Sequence, residues 1–497
     1  MDELLDASLL ELNRMIRSRE RSPVEVVEAH LARIEAVNPA INAVIAERFA
    51  AARAEAREAE ARVMSTRDPA DLPPLLGIPF TAKEYIAAEG MPLTGGVWKR
   101  RHIRADRDAT TIQRLRAAGA ILVGITNVPE GGLWLETYNT VYGRTRNPWN
   151  LARTCGGSSG GDGAIVGAGG VPFALGADVG GSIRIPAAFC GTVGHKPTGR
   201  MVPNTGFWPE TRGELSAYLV CGPLGRRCAD MMPILRVLAG PDGADEVVRP
   251  WTLGDPDAVD LSDVVVFPVE STGGARIRPV MRAAVADAAR ALADRGATIA
   301  ELRAPAMKKA FMIWSSMMAA AEGPSYSEIL GGDAPLKTFR EMGKAMFGRS
   351  RHTFPALLVV AAVSVTKLIP GRMNEMVALG HELQAELEDI LGPRGVLLHP
   401  PYTRPAPRHY GPLLTPFDFV CTSLFNVLEF PSTTVPTGFD RKGLPVGVQV
   451  IGRRGNDHLT IAVAGAIEAA TGGWRRAEPP IRAVSTDAPA ETRVGAA

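Results

Sequence analysis

The sequence predicts an α/β fold. Short apolar runs suited to buried strands, such as AILVGIT at 120–126 and DVVVFPV at 263–269, alternate with amphipathic helical segments. With 497 residues, of which 46% are hydrophobic and 22% charged, the chain can bury a large core. Because no repeat or long linker divides it, we expect one domain spanning residues 1–497.

The N-terminal part, residues 1–70, has a helical pattern. Ser22 is placed to cap a helix, Pro23 suits its first position, and Glu25 completes a capping box. A second helix, rich in alanine, glutamate and arginine, is predicted over 46–64. The first seventy residues are therefore expected to pack as helices.

Strands and helices then alternate along the chain. Strand character is found at 75–86 and 120–126, with a short amphipathic helix at 110–120 between them. The later run at 263–269 precedes a helix at 277–295. Further strands are predicted at 297–302, near 396 and at 444–452, followed by a closing helix at 457–470. The tail, 475–497, is polar and proline-containing, and we expect it to be disordered.

Charge and cysteine content exclude several classes of protein. The formal net charge of +2 provides no field for nucleic acid, so no nucleic-acid partner is expected. Five scattered cysteines show no zinc spacing and suit buried thiols in a reducing cytoplasm. The longest apolar run, 354–365, is too short to cross a bilayer, so we expect a cytoplasmic protein without a transmembrane segment.

A glycine-rich stretch at 156–182 contains eleven glycines and three serines. It lacks both phosphate-loop patterns, which excludes a nucleotide cradle. Gly157–Gly161 matches the GxSxG nucleophile elbow, but the preceding residues are polar and contain proline, unlike the buried strand that an elbow follows. A flexible linker is disfavoured because glycine alternates with apolar residues that favour burial.

A lysine offers another way to activate a serine. Burial penalises the ammonium form, so a buried lysine can be a neutral base at working pH. Lys83 ends an apolar segment, GIPFTAKE, and is the candidate. The plain alternative is a surface lysine with a solvated amine.

Three motifs in order resemble the amidase signature family. They are LLGIPFTAKE with Lys83, GGSSGG with Ser158, and GADVGGSIRIPAAFCG with Ser182, at intervals of 75 and 24 residues. The similarity continues through AAGAILVGITNVPE, GHKPTG and LPVGVQVIG, covering most of residues 5–474. Within the family, the chain is similar to fatty acid amide hydrolases of the second vertebrate type.

The resemblance implies a fold with a large mixed β-sheet covered on both faces by helices. It places the catalytic core in residues 71–230. It also implies that the helical region at 306–391, which is rich in methionine and apolar residues, forms a substrate pocket or cap.

The resemblance also implies catalytic roles. Ser182 would be the nucleophile, Ser158 a bridging serine after a cis peptide bond to Gly157, and Lys83 the base. The oxyanion hole would use the N–H groups of Val179, Gly180, Gly181 and Ser182. Residues with supporting roles would be Gly157, Ser159, Asp178 and Arg184. No metal or cofactor is expected.

The expected activity is hydrolysis of linear amides with a hydrophobic acyl or amine part. Met91 and Trp134 are candidates for substrate binding, together with the stretch FMIWSSMM at 311–318. Alternatives are an aryl-acylamidase, a small primary-amide hydrolase, the amidase component of a tRNA-dependent transamidase, and a non-catalytic scaffold. A peripheral membrane contact and a homodimer are also considered.

Overall fold

The computed structural model describes residues 2–270, 275–321, 323–332, 334–366 and 370–479. Its strands are β1 Val44–Glu47, β2 Pro79–Lys83, β3 Ile121–Thr126, β4 Tyr138–Asn139, β5 Gly143–Arg144, β6 Arg146–Asn147, β7 Asn150–Thr154, β8 Phe173–Asp178, β9 Val193–Lys196, β10 Val220–Gly225, β11 Val265–Pro268, β12 Thr298–Ile299, β13 Gly395–His399, β14 Ser432–Phe439 and β15 Pro445–Gly452.

The helices of the same residues are α1 Asp2–Asp6, α2 Leu9–Arg17, α3 Pro23–Ile41, α4 Phe49–Ser65, α5 Thr110–Ala117, α6 Gly160–Gly167, α7 Arg184–Cys190, α8 Gly213–Tyr218, α9 Met231–Leu238, α10 Pro279–Ala293, α11 Ala310–Ala320, α12 Tyr326–Gly331, α13 Thr338–Met346, α14 Phe354–Thr366, α15 Pro370–Leu391, α16 Val420–Val427 and α17 Asp457–Thr471.

Eleven strands from the described residues form one sheet, in the order β1-β3-β2-β8-β10-β9-β14-β15-β13-β11-β12. Strand β2 runs parallel to both β3 and β8, and β11 runs parallel to both β12 and β13. The other pairs are antiparallel. The sheet is therefore mixed, and the predicted α/β fold with a large mixed sheet is confirmed.

Helices cover both faces of this sheet. Successive side chains of β3 show this, because they belong to two different core clusters. Leu122 belongs to a core cluster shared with α5, α9, α10 and α17, whereas Ile121 and Val123 belong to a cluster shared with α3, α4 and α6. At the other end of the sheet, Leu397 packs with α11, α15 and α16. Successive side chains of a strand point to opposite faces, so both faces bury apolar residues.

The predicted capping box is confirmed. The side chain of Ser22 accepts from the N–H of Glu25, and the carboxylate of Glu25 accepts from the N–H of Ser22. The predicted helices of the first seventy residues are present as α1 to α4. The short strand β1, which pairs with β3 at the edge of the sheet, was not predicted. Four strands near the centre, β8, β9, β10 and β14, were also not predicted.

The apolar run at 354–365 lies within α14. Ala356, Leu357 and Val360 are buried, and Ala356 and Val360 pack with Val97 and Leu330. These buried residues of the run are thus core, whereas Phe354 is exposed. Within the part of the chain that the structure describes, no helix is both long and apolar enough to cross a membrane.

The tail expected to be disordered falls mostly outside the described residues, from 480 onward. Residues 475–479 are described and lie against the body. The N–H of the buried Ala477 donates to the carbonyl oxygen of Gly167 at 2.9 Å, and Arg476 forms an ion pair with Asp2 at 2.9 Å.

Candidate active site

Two parallel neighbours in the sheet, β2 and β8, bring the candidate residues together. Lys83 is the last residue of β2, and Asp178 is the last residue of β8. Because parallel strands end at the same edge of a sheet, the residues that follow β8 lie beside Lys83. The loop that follows β8, residues 179–182, contains Ser182.

Lys83 is buried and hydrogen-bonded. Its Nζ lies 2.7 Å from the Oγ of Ser158 and donates to the carbonyl oxygen of Ala177 at 3.1 Å. The side chain is 1% exposed, which excludes the surface lysine. Burial lowers the pKa of Lys83, and the nearby carboxylates of Asp162 and Asp178 offset part of this effect. The amine therefore loses its proton more readily than an ordinary lysine.

Gly157 and Ser158 are joined by a cis peptide bond, as the resemblance implies. A side chain at Gly157 would overlap the carbonyl oxygen of Trp134 and the backbone nitrogen of Glu136. The close approach of residues 134–136 therefore requires glycine at 157. Ser159 donates its backbone N–H to the carbonyl oxygen of Ser182 at 3.1 Å, which joins the two serine segments.

The loop from Val179 to Ser182 is less buried than Lys83, because Val179, Gly180 and Ser182 are each partly exposed. Gly181 has a φ of +122°, and a Cβ there would overlap the hydroxyl of Thr422. The N–H of Gly181 donates to Oδ1 of Asp178 at 2.6 Å, so it is already engaged. Among the described residues, no protein group accepts from the N–H groups of Val179, Gly180 and Ser182.

Asp178 and Arg184 form a fully buried ion pair below this loop. Arg184 donates through Nε to Oδ2 and through Nη2 to Oδ1, both at 3.0 Å. Burial by itself would raise the pKa of Asp178, but Arg184 and the N–H groups bonded to the carboxylate hold it far below its usual range. Arg184 also donates to Asn426, Gln449 and the carbonyl oxygen of Thr422, which ties the loop to α16 and β15.

Ser159 supports the same region. Its hydroxyl donates to the carbonyl oxygen of Ala177 at 3.2 Å and lies 3.3 Å from the N–H of that residue. The predicted site residues Lys83, Ser158, Ser159 and Ser182 thus surround the end of β8.

An aromatic cluster borders the loop and contains the stretch 311–318. The indole N–H of Trp314 donates to the carbonyl oxygen of Val179 at 3.1 Å. Its ring lies 5.0 Å from Phe419, and Phe311 lies 4.8 Å from Phe417. Trp314 was part of the sequence expectation, but Phe417 and Phe419 were missed, since nothing in their sequence context distinguishes them from core residues.

The two other candidates for substrate binding lie elsewhere around the site. Met91 is 9% exposed and belongs to the core cluster that also contains Leu122. The carbonyl oxygen of Trp134 lies beside Gly157, and its indole N–H donates to Glu136 at 3.4 Å. The structure therefore places Trp134 next to Gly157 of the GGSSGG motif, whereas no such contact is seen for Met91 among the described residues.

An open cavity of about 950 Å³ is lined by residues of several segments, and neither Lys83 nor Tyr85 is among them. Its wall includes Trp208, whose ring centroid is 6.4 Å from that of Tyr85, while Nζ of Lys83 is 4.9 Å from the centre of the Tyr85 ring. Arg100 stacks on Trp208 at 4.0 Å. Tyr85 thus contacts both the amine of Lys83 and a residue of the cavity wall.

Glu84, the residue after Lys83, is also buried. Its carboxylate accepts from the N–H groups of Thr94 and Gly95, both at 2.6 Å. Burial nevertheless raises the pKa of Glu84 to about 7. Glu84 therefore organises the loop at 94–95.

Comparisons with known proteins show the family of this chain. An amidase family model matches residues 25–461. Fatty-acid amide hydrolase 2-B of Danio rerio is 39% identical over 486 residues, covering 95% of this chain and 90% of the relative. A glutamyl-tRNA(Gln) amidotransferase subunit of Roseiflexus castenholzii is 31% identical over 501 residues, covering 97% of this chain and 99% of that relative.

A solved structure extends the agreement to the fold. A bacterial aryl acylamidase of the amidase signature family superposes with a TM-score of 0.77 at 27% identity, over 94% of this chain and 96% of that chain. The resemblance seen in the three motifs is confirmed, including the similarity to fatty-acid amide hydrolase 2. The chain belongs to the amidase signature family and is a hydrolase of amide C–N bonds.

Proposed function

We propose that this chain hydrolyses linear amides with a hydrophobic acyl or amine part through Ser182, Ser158 and Lys83. The observation that carries the proposal is the 2.7 Å hydrogen bond between the buried amine of Lys83 and the hydroxyl of Ser158. A buried amine with a lowered pKa is a base for a hydroxyl proton.

The proton route follows from the order of the three groups. Ser182 Oγ attacks the amide carbonyl carbon while its proton passes to Ser158, whose own proton passes to Lys83. The tetrahedral intermediate then collapses, the C–N bond breaks, and the relay returns a proton to the leaving nitrogen. Water repeats the attack on the acyl-enzyme and releases the acid, which restores all three groups.

The N–H groups of the loop after β8 would stabilise the oxyanion. The resemblance includes Gly181, but its N–H already donates to Asp178. We therefore assign the donor role to Val179, Gly180 and Ser182 in this conformation. Loss of one such donor in a hydrolase typically costs about 3–4 kcal/mol of transition-state stabilisation.

The aromatic cluster supports a hydrophobic substrate. Trp314 and Phe419 stand against the loop that carries Ser182, where part of the substrate has to lie. The similarity to fatty-acid amide hydrolase 2 points the same way. The same rings would also suit an aromatic amine, so an aryl amide is the second candidate substrate, and the aryl acylamidase relative agrees with it.

We also propose a peripheral contact with an anionic lipid surface. Helix α13 and the turn after it expose apolar side chains, since Phe339 is 85% exposed and Phe347 is 77% exposed. Exposed cationic neighbours are Lys337, Arg340 and Arg349. Sedimentation with phosphatidylserine vesicles, weakened in a Phe339→Ser/Phe347→Ser variant, would support this contact, and equal binding of the variant would contradict it.

A labelling experiment tests the proposed nucleophile. A fluorophosphonate should modify Ser182 of the purified chain, as located by peptide mapping, and Ser182→Ala should abolish both labelling and amide turnover. Ser159→Ala is the matched control and should retain labelling. Modification of Ser159 instead, or turnover by Ser182→Ala, would overturn the assignment.

The same preparation distinguishes the rival functions. A transamidase component would need partner proteins for its normal reaction, and a scaffold would show neither labelling nor turnover. Amide hydrolysis by the single chain supports the proposal over both.

A further inference from the structure

A second buried acid, Asp162, lies beside Lys83 and has no role in the proton route described above. It is the third residue of α6, four positions after Ser158, and it is fully buried. Its Oδ1 accepts from the hydroxyl of Thr126 at 2.6 Å. Thr126 is the residue paired with Lys83 in the ladder between β2 and β3. Asp162 is thus bonded to the residue that pairs with Lys83 in the sheet.

The other oxygen of Asp162 is unusual. Among the described residues, no group donates a hydrogen bond to Oδ2, although it is buried. Leaving a buried carboxylate oxygen without a donor costs stability. Burial raises the pKa of Asp162, whereas the hydroxyl of Thr126 and a positive charge on Lys83 favour its carboxylate form. Asp162 in turn favours the ammonium form of Lys83. A positive charge on Lys83 is therefore the counter-charge that favours ionised Asp162.

The remaining groups around Lys83 are bonded elsewhere or neutral. Asp178, at the end of β8, also favours the ammonium form of Lys83, but its carboxylate is held by two bonds to Arg184. Burial raises the pKa of Cys221, on β10, so this thiol stays neutral. Tyr85 presents its ring to Nζ, and the carboxylate of Glu84 is bonded to Thr94 and Gly95. Asp162 differs from Asp178 and Glu84 because, among the described residues, nothing donates to its Oδ2.

We propose that Asp162 is a positioning residue that stabilises the ammonium form of Lys83 when the relay has taken the proton of Ser182. The inference rests on the proposed function. The proton passes from Ser182 to Ser158 and from Ser158 to Lys83, and Asp162 neither gains nor loses one. Because Lys83 and Asp162 are both buried, the carboxylate replaces the solvation that the ammonium would otherwise need.

The proposal predicts a specific change in Asp162→Asn. Removal of the negative charge makes Lys83 a weaker base, so its neutral form persists to lower pH. The midpoint of the pH profile should fall by about one unit or more. The rate on the plateau should fall about tenfold or more, because a weaker base accepts the proton less readily.

Fluorophosphonate labelling of Ser182 measures this without an amide substrate. Oγ of Ser182 bonds to phosphorus, fluoride leaves, and the serine proton enters the relay. We therefore expect the second-order labelling rate to shift with pH in Asp162→Asn and in the smaller Asp162→Ser. Asp162→Glu, which keeps the charge, should retain the parent midpoint.

The matched control is Asp230→Asn, which removes another fully buried carboxylate. Asp230 accepts from the N–H groups of Leu9 and Leu10, far along the chain from the relay. It should leave the midpoint unchanged. Slower labelling of Asp162→Asn and Asp162→Ser with an unchanged midpoint of the pH profile would overturn the proposal, because a purely structural role of Asp162 has that outcome.

The experiment also separates this inference from the proposed function. Labelling of Ser182 that shifts as expected, with no turnover of any amide tested, would support Asp162 while contradicting the substrate class. Labelling at another serine would overturn both. The thermal unfolding midpoint of each variant identifies misfolding, and the Asp162→Ser variant then decides the outcome.

Discussion

Nζ of Lys83 and Oγ of Ser158 lie 2.7 Å apart, although 75 residues separate them in the chain. A buried lysine is normally paired with a carboxylate, because an isolated ammonium is costly away from water. Here the direct side-chain partner is a hydroxyl. This pairing favours the neutral amine and gives it a proton to accept, so the contact is suited to a base.

Substitution of Lys83 should separate activity from stability. Lys83→Met removes the base, and we expect kcat/KM to fall by about 10²–10⁴. The pKa of Lys83 is lower in the folded chain than in the unfolded chain. The contribution of Lys83 to stability is therefore present above its pKa in the unfolded chain and is lost as the pH falls through its folded-state pKa. At neutral pH the methionine variant should therefore be as stable as the parent or more so, by thermal unfolding.

Lys83→Arg is the control for charge. Arginine stays protonated, so it keeps a cation but supplies no base, and it should be as inactive as Lys83→Met. Substantial turnover by either variant would show that Lys83 is not the base.

The pH dependence of kcat/KM should report the same group. Burial lowers the pKa of Lys83, so the neutral base becomes available below the ordinary lysine value of about 10.4. We expect activity to rise with pH to a plateau, with a midpoint belonging to the coupled relay. Histidine modification should leave the profile unchanged, and inactivation by a histidine reagent would favour a nucleophile elbow.

The sequence predicted the outer parts of the fold better than its centre. Strands β3, β11 and β15 appear as uninterrupted apolar runs and were predicted. Strand β10 contains Gly222 and Pro223, which normally argue against a strand. Its place next to β8 is set by tertiary pairing, and local propensity does not reveal such pairing.

The candidate site shows the same division. Motifs predicted Lys83, Ser158 and Ser182, because their spacing resembles a known family. They did not predict that Gly181 donates to Asp178, which depends on the turn of one loop. Asp162 was also missed, since an acid in a glycine-rich stretch has no local signal of burial. The burial of Asp162 beside Lys83 depends on its bond to Thr126, which lies on β3.

The pair of Asp178 and Arg184 should be important for stability. Arg184→Met would leave the carboxylate of Asp178 buried without its cation, and we expect a loss of about 3–5 kcal/mol in the free energy of unfolding. Urea denaturation measures this loss. Activity should also fall, since Asp178 accepts from the N–H of Gly181 and shapes the loop.

Arg212→Ala is the control for this prediction. Arg212 pairs with Glu210 at the surface, where the two side chains are 80% and 74% exposed. Exposed pairs contribute less than about 1 kcal/mol, so the unfolding curve should barely move. A small effect of Arg184→Met, comparable with that of Arg212→Ala, would contradict the structural importance of the buried pair.

Substrate length should reveal whether the aromatic cluster forms the substrate pocket. With acyl amides of two to eighteen carbons, kcat/KM should rise about fourfold for each methylene buried, until the pocket is full. Trp314 contacts the carbonyl oxygen of Val179, so Trp314→Ala should flatten this rise, while Trp314→Phe should preserve most of it. Met64→Ala, at a 63% exposed position, is the control and should have no effect. A maximum at acetamide-sized substrates, with a decline for each added carbon, would contradict the hydrophobic pocket, because burial of methylenes could then not be driving recognition.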